Sequence, residues 1–246
     1  MPLFYQPQIP QGVLSLDAEE SRHALKVLRL KPGSLIDITD GNGKIYTATI
    51  SETKKNLCYF RIQATREAGL KGFSMHIGIA PTKNMDRMEW FVEKATEIGI
   101  DQISFMLCEK SERKTLGLER LMKKAVGGMK QSGQARLPRL HPLKPFREML
   151  DFSGQRLIAA VDHANPLHLQ QVAKSHTDCL VLIGPEGDFS EAELALATAR
   201  DFQKVSLGPN ILRTETAGLV ACHILSLINL SCDGNFARPV PSPLPR

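Results

Sequence analysis

"CLVLIGPEGDFSEAELALA" (residues 179–197) carries an unbroken apolar run straight into Gly184-Pro185-Glu186-Gly187-Asp188, then into a helix start at Ser190. A run with no polar alternation describes a strand buried on both faces, and such strands belong to parallel sheets covered by helices. Glycine lets another backbone or a flat ligand approach, while proline ends the strand ladder and stiffens the loop. The chain repeats the device in "KVSLGPNILRTETAGLVACHILSLI" (204–228), where a shorter apolar run meets Gly208-Pro209 ahead of another helix. Ligands of parallel α/β sheets sit at the carboxyl ends of the strands, so the two breaks mark one candidate binding site.

The same rhythm extends outward from this stretch. "SMHIGIAP", "DQISFML", "QRLIAAV" and "QKVSLG" read as further buried strands, with "MDRMEWFVEKATEIG" and "LGLERLMKKAVGGMKQSG" as helices between them. The alternation predicts an α/β domain with a parallel sheet over 73–230. Ser190 and Glu193 form a capping box at one helix start. The last helix, from Thr214 to about Asn229, is expected to bury Ala217, Val220, Ala221, Ile224, Leu225 and Ile228. Residues 231–246, with proline at every second position from 239 to 245, read as an extended, mobile tail.

Ahead of the α/β domain the pattern differs. "DAEESRHALKVLRL" (17–30) predicts one helix, capped by Asp17, boxed by Glu20, burying Ala24, Leu25 and Leu28, and ended by Pro32-Gly33. "SLIDITD", "KIYTATI" and "NLCYFRIQAT" are β-rich runs joined by turns at Asp40-Gly41-Asn42-Gly43 and Lys54-Lys55-Asn56. Residues 1–70 therefore form a small antiparallel barrel with one helix.

Composition narrows the function classes. The chain has 246 residues, 42% hydrophobic and 23% charged. No apolar run approaches the roughly 18 residues of a membrane span. The start lacks a signal-peptide layout, so a cytoplasmic protein is expected. Five scattered cysteines without a Cys-x-x-Cys pair predict buried free thiols. His163 and His168 lack a partnering set of acids or cysteines, so no metal is expected. Between Glu109 and Arg147 eleven Lys or Arg face three acids, against twenty facing twenty-three elsewhere. That concentrated positive field suits a polyanion, and nucleic acid is the common one; a solvated basic face is the alternative. Neither Gly-x-Gly-x-x-Gly nor Gly-Lys-Ser/Thr is present, which favours a nucleoside ligand without phosphates over a dinucleotide or triphosphate.

"IGPEGDFSEAEL" and "LGPNILRTETA" are similar to the two cofactor-loop motifs of the 16S ribosomal RNA uridine-N3 methyltransferases (RsmE), members of the SPOUT superfamily of knotted methyltransferases. "HALKVLRLKPGSLIDITDGNG" resembles the opening of that family's PUA-like RNA-binding domain, "KNMDRMEWFVEKATEIGI" its helix with the Thr-Glu-x-Gly turn, and "KQSGQARLPRL" its Gln-Ser signature. The chain departs from the pattern at Asp188, Asn210 and Lys130. The resemblance covers nearly the whole chain and implies an α/β SPOUT domain with a trefoil knot behind a PUA-like β-barrel. It also implies S-adenosyl-L-methionine as cofactor, 16S rRNA or the small ribosomal subunit as substrate, and a homodimer. It assigns the cofactor to Ile183, Gly184, Pro185, Glu186, Gly187, Leu207, Gly208, Ile211, Leu212, Thr216 and Ala217.

Methyl transfer to uridine N3 needs the imide deprotonated, and a cation over its carbonyl oxygens stabilises the anion. Arg213, at the end of a cofactor loop, is the candidate, with Glu215 in the first turn of the next helix as second catalytic residue. Alternatively Arg213 braces the loops by pairing with Glu186 or Glu215, and Glu215 serves only the helix dipole. RNA contacts are expected from Arg22 and Arg29 in the small domain and from Lys123, Lys124, Lys130, Gln131 and Arg136 in the large one, with Lys110, Arg113 and Lys114 extending the surface. A non-catalytic RNA-binding factor and a nucleotide-binding enzyme of another class are the rival readings.

Overall fold

A computed structural model describes residues 1–161 and 167–233, with side chains described through Leu230. His163 and the stretch 234–246 lie outside the described residues.

The small domain is built from β1 (Leu3–Tyr5), α1 (Ala18–Arg22), β2 (Leu35–Thr39), β3 (Lys44–Lys54) and β4 (Leu57–Glu67). Its sheet runs β1-β2-β3-β4, antiparallel except that β1 lies parallel to β2. Both expected turns join the antiparallel strands. The backbone of Leu14–Leu16 adds to the free edge of β4 through Leu16 N–H to Cys58 O (2.9 Å) and Phe60 N–H to Leu14 O (3.0 Å). The Gln6 amide donates to Ser15 O at 2.5 Å and ties that segment back to the end of β1. The sheet thus curls around Phe4, Leu16, Ile36, Ile38 and Ile50, all buried.

The predicted helix over 17–30 is two structures. Asp17 does cap it, accepting from Glu20 N–H at 2.7 Å, but Glu20 completes no box because its carboxylate pairs with Lys130. Beyond Arg22 the chain widens into a π-helical turn, His23–Val27, closed by Leu28 N–H to His23 O at 3.0 Å. The extra residue in that turn rotates Leu28 off the buried face, so Ala24 is buried and Leu28 exposed.

The large domain contains β5 (Met75–Ile79), α2 (Met85–Ile98), β6 (Gln102–Leu107), α3 (Leu118–Ser132), β7 (Arg139–Pro145), β8 (Gln155–Ala159), α4 (Leu169–Val172), β9 (Cys179–Ile183), α5 (Glu191–Thr198), β10 (Gln203–Val205) and α6 (Thr214–Asp233). The strand order is β10-β8-β9-β5-β6-β7, and every pairing is parallel. Strand β7 holds Pro142 and Pro145, which hid it from a sequence reading, and it lies at the sheet edge where proline is tolerated. The Ser190–Glu193 capping box is formed.

The chain does not turn back along the edge at β10. It crosses beneath the sheet so that α6 packs on α2, β5 and β9, the return that a trefoil-knotted domain requires. A side chain at Gly218 would meet the Phe91 ring at 2.8 Å and Ile79 at 2.9 Å, so glycine sets how closely α6 approaches. The buried stripe of α6 is Gly218, Ala221, Cys222, Leu225 and Asn229, whereas Val220, Ala217, Ile224 and Ile228 are half-buried. The helix runs through Asp233, beyond the expected end and into the segment read as tail.

The domains join at the β2–β3 turn. Gly43 N–H donates to Ala135 O (2.9 Å), the Thr39 hydroxyl to the same oxygen (3.1 Å), and Leu137 N–H to Gly41 O (2.9 Å). Cys58, Cys108, Cys179 and Cys222 are buried free thiols, and burial pushes Cys179 and Cys222 up to about 12.

Candidate active site

Strands β8, β9 and β10 end side by side, and the loops that leave them enclose a cavity of about 350 Å³. Ile183, Gly184, Pro185 and Glu186 come from the first Gly-Pro loop; Leu207, Gly208, Ile211 and Leu212 come from the second, and Ala217 from α6. Nine of the eleven residues expected at the cofactor therefore converge there. The other two do not reach it. Gly187 faces away, its carbonyl accepting from Lys110 Nζ at 3.0 Å, and Thr216 lines a neighbouring cavity.

Short side-chain bonds set the shape of the loops. Glu186 Oε1 accepts from Lys83 N–H at 3.0 Å, fixing the first loop to the β5–α2 connection. Asp188 adopts φ 57°, a left-handed conformation that Asp tolerates where most residues do not. Its carboxylate accepts from Phe189 N–H (2.8 Å) and from Val161 N–H (3.1 Å), drawing the end of β8 into the site. Sequence reading missed Ala159, Ala160, Val161, Asp188, Ser206, Pro209, Asn210 and Thr214 in the lining. The end of β8 carries no Gly-Pro signal, and Asp188 drew notice only as a departure.

The two glycines taken as room for a ligand differ. A Cβ at Gly208 would meet nothing within 4 Å, and φ +132° there is open to glycine alone. A Cβ at Gly184 would meet the Phe189 ring at 3.1 Å, so Gly184 accommodates protein rather than ligand.

Arg213 lines both this cavity and the neighbouring one of about 660 Å³, which also borders Asp86, Arg87, Trp90, Ile211, Leu212, Glu215 and Thr216. The bracing alternative finds no bond here. Glu186 is held by Lys83 and Glu215 lies 3.7 Å from Arg87, and no described residue pairs with the Arg213 guanidinium.

The cations of the basic stretch differ in what holds them. Lys130 pairs with the buried Glu20 across the domain boundary at 2.5 Å. Burial pushes the Glu20 carboxyl up and Lys130 pulls it back down. Arg136 donates to Asn42 O (2.9 Å) and Ala68 O (3.2 Å). Lys110 and Arg113 hold loop carbonyls at Gly187, Phe189, Thr82 and Lys83. These four brace the fold. Lys123 and Lys124 on α3 pair with Glu119 (4.0 Å) and with the buried Glu89 (3.6 Å), and Arg22, Arg29 and Gln131 are exposed. Ser132 closes the end of α3 on Gly128 O (2.7 Å), and Gln134 bonds the Thr96 and Glu97 carbonyls. His23 is exposed, edge-on to Phe4, and His168 caps α4; the described residues contain no metal-binding cluster.

Residues 71–226 match the family model described as RNA methyltransferase domain, and residues 16–63 the one described as RNA methyltransferase PUA domain. The chain belongs to the RNA methyltransferase family. Curated relatives in this family include the ribosomal RNA small subunit methyltransferase E of Bacillus subtilis, 28% identical with 86% of this chain and 89% of that protein covered. The enzyme of the same name from Rickettsia conorii is 25% identical, with 89% and 92% covered. A probable rRNA-methyltransferase from Porphyromonas gingivalis superposes with a TM-score of 0.88 at 39% identity, over 95% of this chain and all of that one. The Neisseria gonorrhoeae ribosomal RNA small subunit methyltransferase E, solved bound to S-adenosyl methionine, gives 0.82 at 28% identity over 93% and 98%. In this methyltransferase the PUA-like barrel and the parallel-sheet SPOUT domain are the two predicted units.

Proposed function

We propose that the protein methylates N3 of a uridine in the 16S ribosomal RNA of the small subunit, using S-adenosyl-L-methionine. The observation that carries this reading is the meeting of the two Gly-Pro loops around one cavity. Its walls are Ile183, Leu207, Leu212 and Ala217, and Gly208 leaves a gap that a side chain would fill. A mostly apolar cavity without a phosphate cradle fits an adenosyl group joined to a short amino-acid chain. Bound there, the cofactor supplies an electrophilic methyl group. The names of the relatives support small-subunit rRNA as substrate.

The chain's own part is to make the uracil imide nucleophilic. Arg213, charged and without an ion-pair partner among the described residues, stabilises the negative charge that develops on the imide carbonyls. Lys123, Lys124, Arg22 and Arg29 hold phosphates and set the register without reading sequence. Half-buried Val220 and Ile228 on α6 support a homodimer, and the rRNA substrate supports a cytoplasmic site of action. No described helix is long and apolar enough to cross a membrane.

Mass spectrometry of 16S rRNA from a strain lacking the gene tests the reading. One uridine should lose a methyl group and regain it when purified protein and S-adenosylmethionine are added to the subunits. Unchanged rRNA in that strain would remove the proposal.

A further inference from the structure

A buried carboxylate with an idle oxygen lies beside the cofactor cavity. The Glu215 side chain is 8% exposed; Oε1 lies 3.7 Å from Arg87 Nε, and Oε2 has no hydrogen-bond partner among the described residues. A buried carboxylate oxygen left unsatisfied is costly, and in native sites it commonly awaits a ligand donor. Glu215 borders the neighbouring cavity of about 660 Å³, together with Trp90 and Arg87 from α2. Ile211, Leu212 and Arg213 line both cavities, so the two share one thin wall. Trp90, the chain's single tryptophan, is 43% exposed and offers a flat apolar face at the opening.

Resting on the methyltransferase reading above, we infer that this second cavity seats the target pyrimidine and that Glu215 is the base that takes its imide proton. The nucleotide is turned out of its stack, as enzymes acting on a base require, and its ring lies against Trp90. The N3–H bond breaks and the proton passes to Glu215 Oε2. The electron pair stays on N3, spread over the two carbonyl oxygens beside Arg213. That pair then bonds the methyl carbon while the donor's carbon–sulfur pair remains on sulfur, so the sulfonium charge and the imidate charge cancel. Arg87 fixes the carboxylate's orientation through Oε1. The proton leaves Glu215 to water once the methylated nucleotide departs.

The test uses Glu215→Gln, which keeps the shape and cannot take the proton, with small subunits from cells lacking the gene as substrate. Single-turnover methylation at neutral pH is expected to fall by about a hundredfold or more, the range of general-base loss, with cofactor affinity and Tm unchanged. The deficit should shrink as pH rises, because hydroxide then removes the proton. It should shrink too on RNA carrying 5-fluorouridine at the target, whose imide is more acidic. Wild-type rates in Glu215→Gln overturn the inference. So does loss of cofactor affinity or stability together with activity and no alkaline recovery, which is the mark of a bracing role. Trp90 supplies a separate signal: its fluorescence should change on saturation with protein-free 16S RNA, and Trp90→Leu should raise KM by about tenfold, as loss of a stacking platform does. No fluorescence change and an unaltered KM remove the nucleotide from this cavity. If wild-type protein transfers no methyl group to any small-subunit RNA, the methyltransferase reading itself fails, independently of either variant.

Discussion

Gly208 shows how far single residues could be read from sequence. The Gly-Pro pairs were visible because no other residue types end a buried strand so abruptly, and nine of the residues they pointed to line one cavity. Directions were not visible. Gly184 makes room for Phe189 and Gly187 backs onto Lys110, because loop geometry depends on partners distant in sequence. Gly208→Val should abolish S-adenosylmethionine binding by calorimetry, since it fills the open side and forces valine to a forbidden φ of +132°. A folded variant that binds tightly would show that the cofactor lies elsewhere. Arg213→Lys keeps the charge but loses the planar fork. Turnover should fall by about a hundredfold with cofactor affinity little changed, if the guanidinium stabilises charge in the transition state. Falling affinity and Tm alongside turnover would return Arg213 to a bracing role.

Elements announced by short-range chemistry were legible, and those set by tertiary context were not. The Ser190–Glu193 box declared α5, while the π-helical turn at His23–Val27 broke a helix that periodicity alone made continuous. On helix α3 the fold commits Lys130 to the buried Glu20, whereas Lys123 and Lys124 keep looser pairs with Glu119 and Glu89 at 4.0 and 3.6 Å. Neutralising Lys123 and Lys124 should flatten the fall of RNA affinity with salt, each phosphate contact contributing about one unit of slope. An unchanged slope would mark them as solvated only. Strand β5 makes a different prediction through His76, which burial and the nearby His141 lower to about 4. The unfolded chain takes up a proton near pH 6.5 and the folded one only near 4, so stability should decline as pH drops across that window. At about 1.4 kcal/mol per pKa unit the loss is at most about 3.5 kcal/mol. Urea unfolding of His76→Asn should lose this part of the acid dependence.

For the whole molecule, the barrel and the parallel sheet followed from the change in rhythm along the chain, whereas the junction was hidden. It rests on backbone bonds and on a pair, Glu20 with Lys130, separated by 110 positions. Lys130→Ala strands a buried carboxylate and should cost about 1–3 kcal/mol in denaturant unfolding. The salt slope of RNA binding should stay as it is, which distinguishes this lysine from its neighbours on α3. The cofactor cavity has a consequence in time as well as in space. Every residue lining it falls between Ala159 and Ala217, and its floor exists only after α6 has crossed beneath the sheet. A growing polypeptide therefore displays its barrel and its lysine-bearing helix long before any affinity for a methyl donor. Competence arrives as one event once α6 has been made and docked, so ribosome-bound intermediates that lack it are obliged to be inert toward the donor however much of the chain has already folded.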